Sequence, residues 1–116
     1  MSILDWKTYY KQVTGGVGAI ARISPDIVKG YQAMGGAARQ THLLGDKVNE
    51  LIALAVAVTT KCDGCITVHT AAAIKAGATR EEIVEALGTA AAVNAGAALV
   101  YSVRTLDAFD AHKAES

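Results

Sequence analysis

No stretch of this chain reads as the sustained apolar–polar alternation of a half-buried strand. Apolar side chains recur instead at three- and four-residue spacing, the period of helices packed through one face. No internal repeat and no linker divides the 116 residues, a length that suits one domain. The expectation is an all-α bundle of about five or six helices in a single domain spanning residues 1–116. Its composition limits how such a bundle holds together. Hydrophobic residues make up 52% of the chain, much of it alanine, and aromatics only 5%. Alanine-rich helices approach closely but each buries little area, so a lone copy would be marginal and subunit association is the natural remedy.

The elements follow from this spacing. Residues 3–14 read as an amphipathic helix with Ile3, Trp6, Tyr10 and Val13 on one stripe, and Gly15-Gly16-Val17-Gly18 interrupts or loosens it. Residues 16–21 match a loose G-x-G-x-x-A dinucleotide pattern, but no strand precedes them and no βαβ unit surrounds them, so that reading is discarded. Ser24 at N-cap and Pro25 at the first helical position open a second helix. It runs to about Arg39, with Ile27, Tyr31 and Met34 as its apolar face. His42 and Leu43-Leu44-Gly45 turn into a third helix, Lys47 to Lys61, with the apolar run Leu51 to Val58. A fourth helix is capped by Asp63 and ends at Gly77, which fits the left-handed position after a helix. Thr79 with Glu82 three on is a capping box. The helix behind it should run from Arg80 to about Val93, with Ile83, Ala86, Leu87 and Ala90 inward. Asn94 to Gly96 would break or kink it. A last helix carries Ala98, Val100, Tyr101, Val103, Arg104 and Phe109, and His112 to Ser116 form a charged, frayed tail.

The chemistry concentrates between Glu50 and Gly77. Both cysteines lie there, as Cys62-Asp63-Gly64-Cys65, at a helix start. Free N–H groups and the positive end of the helix dipole favour an anion at that place, so they favour thiolate over thiol. His69, four residues after Cys65, shares its helix face and can hold or accept the thiol proton. Glu50 sits near the start of the preceding helix on a stripe with Leu54 and Ala57. Half buried there, a carboxylate becomes a better proton carrier near neutral pH, whereas a nearby cation would do the opposite. The dipole alone favours Cys62 as the more acidic thiol, while the His69 spacing favours Cys65. A zinc site is a rival reading, in which Cys62, Cys65 and His69 would need a fourth ligand such as His42 or Glu50. A second Cys-x-x-Cys or a histidine pair, usual in structural zinc sites, is missing. Tyr31, Tyr101 and Trp6 read as core or interface residues.

The pattern E-x11-C-x-x-C-x-x-x-H, from Glu50 through Cys62 and Cys65 to His69, resembles the alkylhydroperoxidase D-like core of the carboxymuconolactone decarboxylase family. Residues 72–83, Ala-Ala-x-x-Ala-Gly-Ala-Thr-x-Glu-Glu-Ile, are also similar to that family. The resemblance is specific over residues 43–100 and thin before residue 24. It implies an all-α fold, homo-oligomerisation as a trimer or hexamer, and thiol-dependent reduction of hydrogen peroxide or small organic hydroperoxides. On that resemblance Cys65 attacks the peroxide, Cys62 resolves the sulfenic acid into a disulfide, and His69 with Glu50 forms a proton relay. A dithiol partner, lipoyl-bearing or thioredoxin-like, would recycle the pair, with no metal or organic cofactor. One departure stands out: the best-studied peroxidases of the family have a His between the cysteines, where this chain has Gly64. Decarboxylases of the family generally lack the cysteine pair, which makes decarboxylation a poor fit. The other class of reading is a non-enzymatic protein whose disulfide switches its assembly or a partner contact.

Charge removes other classes. Eleven basic and eleven acidic residues give a formal net charge of zero, with no basic patch, so nucleic acid is a poor partner. Residues 1–11 have no apolar core of a signal peptide, and no apolar run reaches the roughly 18 residues that a membrane span needs. The expected location is cytoplasmic, where two cysteines three apart suggest a redox pair more than a structural staple.

Overall fold

Asp5 starts the first helix. In the computed structural model, which describes residues 2–115 with side chains through residue 114, its carboxylate accepts the Thr8 N–H at 3.2 Å and the Thr8 hydroxyl at 2.9 Å. Helix α1 spans Trp6–Ile23. It continues through Gly15-Gly16-Val17-Gly18, where the sequence predicts an interruption. None of these glycines has a positive φ. A glycine inside a helix costs about 1 kcal/mol relative to alanine, and the packing of α1 on its neighbours outweighs that. Ser24 and Pro25 then open α2, Pro25–Arg39, as expected. The Ser24 side chain makes no capping bond; proline simply lacks the N–H that the first turn would leave unpaired.

Helix α3, Gly45–Thr60, ends on Lys61 in the left-handed conformation (φ 56°, ψ 50°). That backbone turn delivers the chain into α4, Asp63–Lys75. Helix α4 stops in a Schellman turn: Gly77 has φ +89°, its N–H reaches the Ile74 carbonyl at 3.0 Å, and the Ala78 N–H reaches Ala73 at 2.9 Å. The capping box forms as predicted, with Thr79 N–H to Glu82 at 2.9 Å and Glu82 N–H to the Thr79 hydroxyl at 3.1 Å. Helix α5 then runs unbroken over Arg80–Glu115, 36 residues. The break predicted at Asn94 to Gly96 is absent. The Asn94 amide donates to the Thr59 hydroxyl at 2.9 Å and to the Ala90 carbonyl at 2.8 Å, so it ties the helix instead of ending it. The tail expected to fray is helical through residue 115; Met1 and Ser116 lie outside the described residues.

Five helices and no strand make up the described residues, the all-α class expected. Helix α3 is the centre, packed against α4 and α5, while α1 lies on α2 and α4. Helices α3 and α5 run parallel in one register. Lys47 pairs with Glu82 at 2.8 Å near their starts, and Thr59 meets Asn94 near the end of α3, both at an offset of 35 residues. The buried set is small: Leu54 and Ala57 on α3, Ala73 on α4, Ala90 on α5, with Glu50 and Thr67 as its polar members. Ile83, Ala86, Leu87 and Ala90 face inward as predicted.

Two apolar faces lie uncovered. Ile27, Tyr31 and Met34 are exposed on α2. On α5, every described residue from Ala97 to Ala114 is exposed, because α3 has already ended. The helix also carries an uncharged stretch from Ala86 to Val103 and is, by length and composition, apolar enough to cross a membrane. The expectation that no run reaches that length is corrected here. Thr, Asn, Ser and Gly dilute the stretch in sequence, but none of them carries a charge.

Candidate active site

Glu50 lies in the second turn of α3 and is 4% exposed. Burying a carboxylate demands partners for its charge, and both of its oxygens have one. Oε2 meets His69 Nδ1 at 2.8 Å, and Oε1 accepts a short bond from Arg39 Nη2. Arg39 is the last residue of α2, and its other terminal nitrogen lies 3.6 Å from Asp46. Three helices therefore meet on one carboxylate: α2 brings the cation, α3 the acid and α4 the imidazole. Among the described residues no buried side-chain polar atom is left without a partner.

At the start of α4, Cys62 and Cys65 are joined as a disulfide, with Cα atoms 5.2 Å apart. The sequence places Asp63 at the N-cap; the structure gives that position to Cys62, whose sulfur accepts the Cys65 N–H at 3.1 Å. Asp63 becomes the first helical residue and adds its charge to the positive end of the dipole. The left-handed Lys61 sets this up, since it lets the Cys62 N–H turn back to the Ala57 carbonyl at 3.0 Å. Gly64, between the cysteines, faces α1: a Cβ built there would sit 3.5 Å from Val13 Cγ1. The hydroxyl of Thr67, buried one turn on, reaches back to the Trp6 carbonyl at 3.4 Å.

The four residues singled out by the sequence thus form two joined pairs on adjoining helices, Cys62 with Cys65 and Glu50 with His69. His69 stands one turn after Cys65 on α4. No hydrogen bond joins the imidazole to either sulfur in this disulfide state, and Nε2 is unbonded among the described residues. His42 lies in the α2–α3 turn with φ 55° and is exposed. No group of three or more His, Cys, Asp or Glu is gathered among the described residues to hold a metal ion. Arg39 is the partner of Glu50 that the sequence does not reveal. It precedes Glu50 by 11 positions across a turn, beyond the reach of any within-helix spacing rule.

A sequence profile of the carboxymuconolactone decarboxylase family matches residues 25–108. The chain belongs to the carboxymuconolactone decarboxylase family. Within that family it carries a Cys-x-x-Cys pair, Cys62 and Cys65. An uncharacterized protein of Haemophilus influenzae is 47% identical over 95% of this chain and 97% of its own length. Another, from Cupriavidus necator, is 35% identical over 92% of this chain and 95% of its own. The apo crystal structure of a family protein from Legionella pneumophila superposes with a TM-score of 0.73 at 34% identity, covering 90% of this chain and 94% of that one. The profile begins at α2, so α1 lies outside it. Yet α1 supplies the Val13 methyls beside Gly64, which makes it the flank of the site least tied to the family pattern.

Proposed function

We propose that this family member is a thiol-dependent peroxidase and disulfide oxidoreductase acting on hydrogen peroxide or a small organic hydroperoxide. The observation that carries the reading is the buried Glu50–His69 pair set one helical turn from a redox-active-type cysteine pair at a helix N-terminus. With Nδ1–H given to Glu50, Nε2 of His69 is the ring nitrogen that can take a proton from reduced Cys65. The Cys65 thiolate attacks one peroxide oxygen. The O–O bond breaks, the departing oxygen leaves as water or alcohol on taking a proton, and Cys65 becomes a sulfenic acid. Cys62 displaces hydroxide from that sulfur, which leaves as water, and the disulfide forms. An external dithiol reduces it by two exchange steps.

Peroxide consumption with dihydrolipoamide or dithiothreitol as reductant tests this. Turnover lost in both Cys65→Ser and Cys62→Ser, with a sulfenic acid trapped in Cys62→Ser, supports the mechanism. Wild type that consumes peroxide no faster than a cysteine-free variant overturns it. If the pair then still oxidises and reduces reversibly, the protein is an oxidoreductase or a redox switch for a protein partner.

A further inference from the structure

Glu50 is 4% exposed, and a carboxylate so far from water holds its charge only beside a positive one. Two groups bond it: Arg39 on Oε1 and His69 Nδ1 on Oε2. The other charged groups around the pair are engaged elsewhere. Lys47, one turn before Glu50 on α3, is bound to Glu82 of α5 at 2.8 Å. Asp46 lies 3.6 Å from the outer nitrogen of Arg39, but its side chain is 76% exposed, so water screens most of its charge. Asp63 stands at the start of α4, against the positive end of that helix. Both sulfurs are tied in the disulfide and carry no charge. A guanidinium keeps its proton at any working pH, so Arg39 supplies Glu50 with a positive charge that the imidazole need not provide.

We infer that Arg39 is a positioning residue for His69, whose charge keeps Nε2 free of a proton. With Arg39 in place, Glu50 stays a carboxylate and accepts Nδ1–H from a neutral ring. Nε2 then presents its lone pair. Without the guanidinium charge, the buried pair takes up one proton from water in its place. That proton can make His69 an imidazolium. Alternatively, Glu50 becomes the neutral acid, its O–H donates to Nδ1, and the ring proton sits on Nε2 instead. Both arrangements hold a proton on Nε2, and neither lets that nitrogen accept another. The bonds of Arg39 are to Glu50 and Asp46, so it acts on the ring through Glu50. The consequence for chemistry rests on the proposed function, in which Nε2 takes the proton of Cys65; the state of the ring does not.

Long-range proton–nitrogen NMR of the imidazole rings, on the full-length oxidised protein at neutral pH, reads the ring without catalysis. The chain has three histidines, and the signals of His69 are those lost in His69→Gln. Wild type should show a protonated Nδ1 and a bare Nε2. Arg39→Gln, which keeps a donor for Oε1 but drops the charge, should show a protonated Nε2. Arg39→Lys, which keeps the charge, should show the wild-type ring. Damaged packing alone does not sort the two variants by charge. In reduced Cys62→Ser protein, alkylation of Cys65 by iodoacetamide should slow about tenfold or more with Arg39→Gln and recover with Arg39→Lys. A wild type already protonated at Nε2 overturns the inference. So does a wild-type ring in Arg39→Gln, an Arg39→Lys ring that matches Arg39→Gln, or a changed ring that leaves alkylation unslowed. If ring and alkylation respond as stated while wild type consumes no peroxide, Arg39 keeps its role and the peroxidase reading alone falls.

Discussion

Arg39 decides how Glu50 is held. Its guanidinium bonds Oε1 and turns Oε2 to the imidazole, so removing it leaves a buried carboxylate supported by His69 alone. Breaking a fully buried ion pair costs about 3–5 kcal/mol. With its side chain 34% exposed to solvent, Arg39→Met should cost less, about 2 kcal/mol by urea unfolding. Arg39→Lys should keep part of that, because a point charge cannot serve Glu50 and Asp46 together as the planar fork does. The cysteine pair, His69 and Glu50 were legible because each relation lies within one helix or follows the family spacing. Arg39 was not, since its contact exists only after α2 and α3 fold back at the His42 turn. Gly64 makes the second prediction at this scale. Its Cβ position, 3.5 Å from Val13, is ordinary contact distance, so Gly64→Ala should fit without displacing α1. Gly64→His must push past the Val13 methyls. It should cost about 1–3 kcal/mol as overpacking does, a loss that Val13→Ala in the same chain should largely recover in the same unfolding measurement.

Single elements carry their own signals. The Thr79–Glu82 capping box was readable from spacing alone, and its bonds form as written. Thr79→Ala should destabilise the fold by about 1 kcal/mol in a thermal or urea melt. Glu82 also receives the Lys47 ammonium, and that bond, followed by the Thr79 N–H, lowers its proton affinity below the ordinary value of 4.5. A carboxylate that releases its proton more readily when folded contributes stability above its ordinary value. That contribution falls away as pH drops through its lower folded value. Acid titration of helicity should therefore show a loss below pH 4.5 that Glu82→Gln flattens. The two helix breaks inferred from sequence failed for a shared reason. Glycine and asparagine lower helix propensity, but propensity is small beside packing and the bonds a side chain can find. Gly15 to Gly18 sit in a helix pinned by Asp5 at one end and Pro25 at the other. Asn94 reaches Thr59 on a neighbour that no local window contains.

On the scale of the whole molecule, the alanine-rich composition led to the expectation of subunit association, and the structure says which apolar faces one copy leaves uncovered. Only four apolar side chains are buried among the described residues, three of them alanine. Leu99, Val103 and Leu106 on α5 and Ile27, Tyr31 and Met34 on α2 face solvent. The helical period of these residues was legible. Which of these faces meets a neighbour inside the chain was not, because periodicity marks an apolar face without naming its partner. Folding that depends on association has a thermodynamic mark a monomer lacks. Unfolding of an assembly releases separate chains, so mass action raises its midpoint with concentration. Each tenfold increase in protein adds about 1.4 kcal/mol to an assembly of two chains. At an unfolding entropy of about 2 cal/mol/K per residue, that is roughly 3 °C in Tm. If the chain associates, calorimetry across two decades of concentration should show this slope for wild type and a flat and lower Tm for Leu106→Asp on the exposed α5 stripe. A wild-type Tm independent of concentration would mean that the small core seen here suffices, and that α5 projects from a protein stable as one chain.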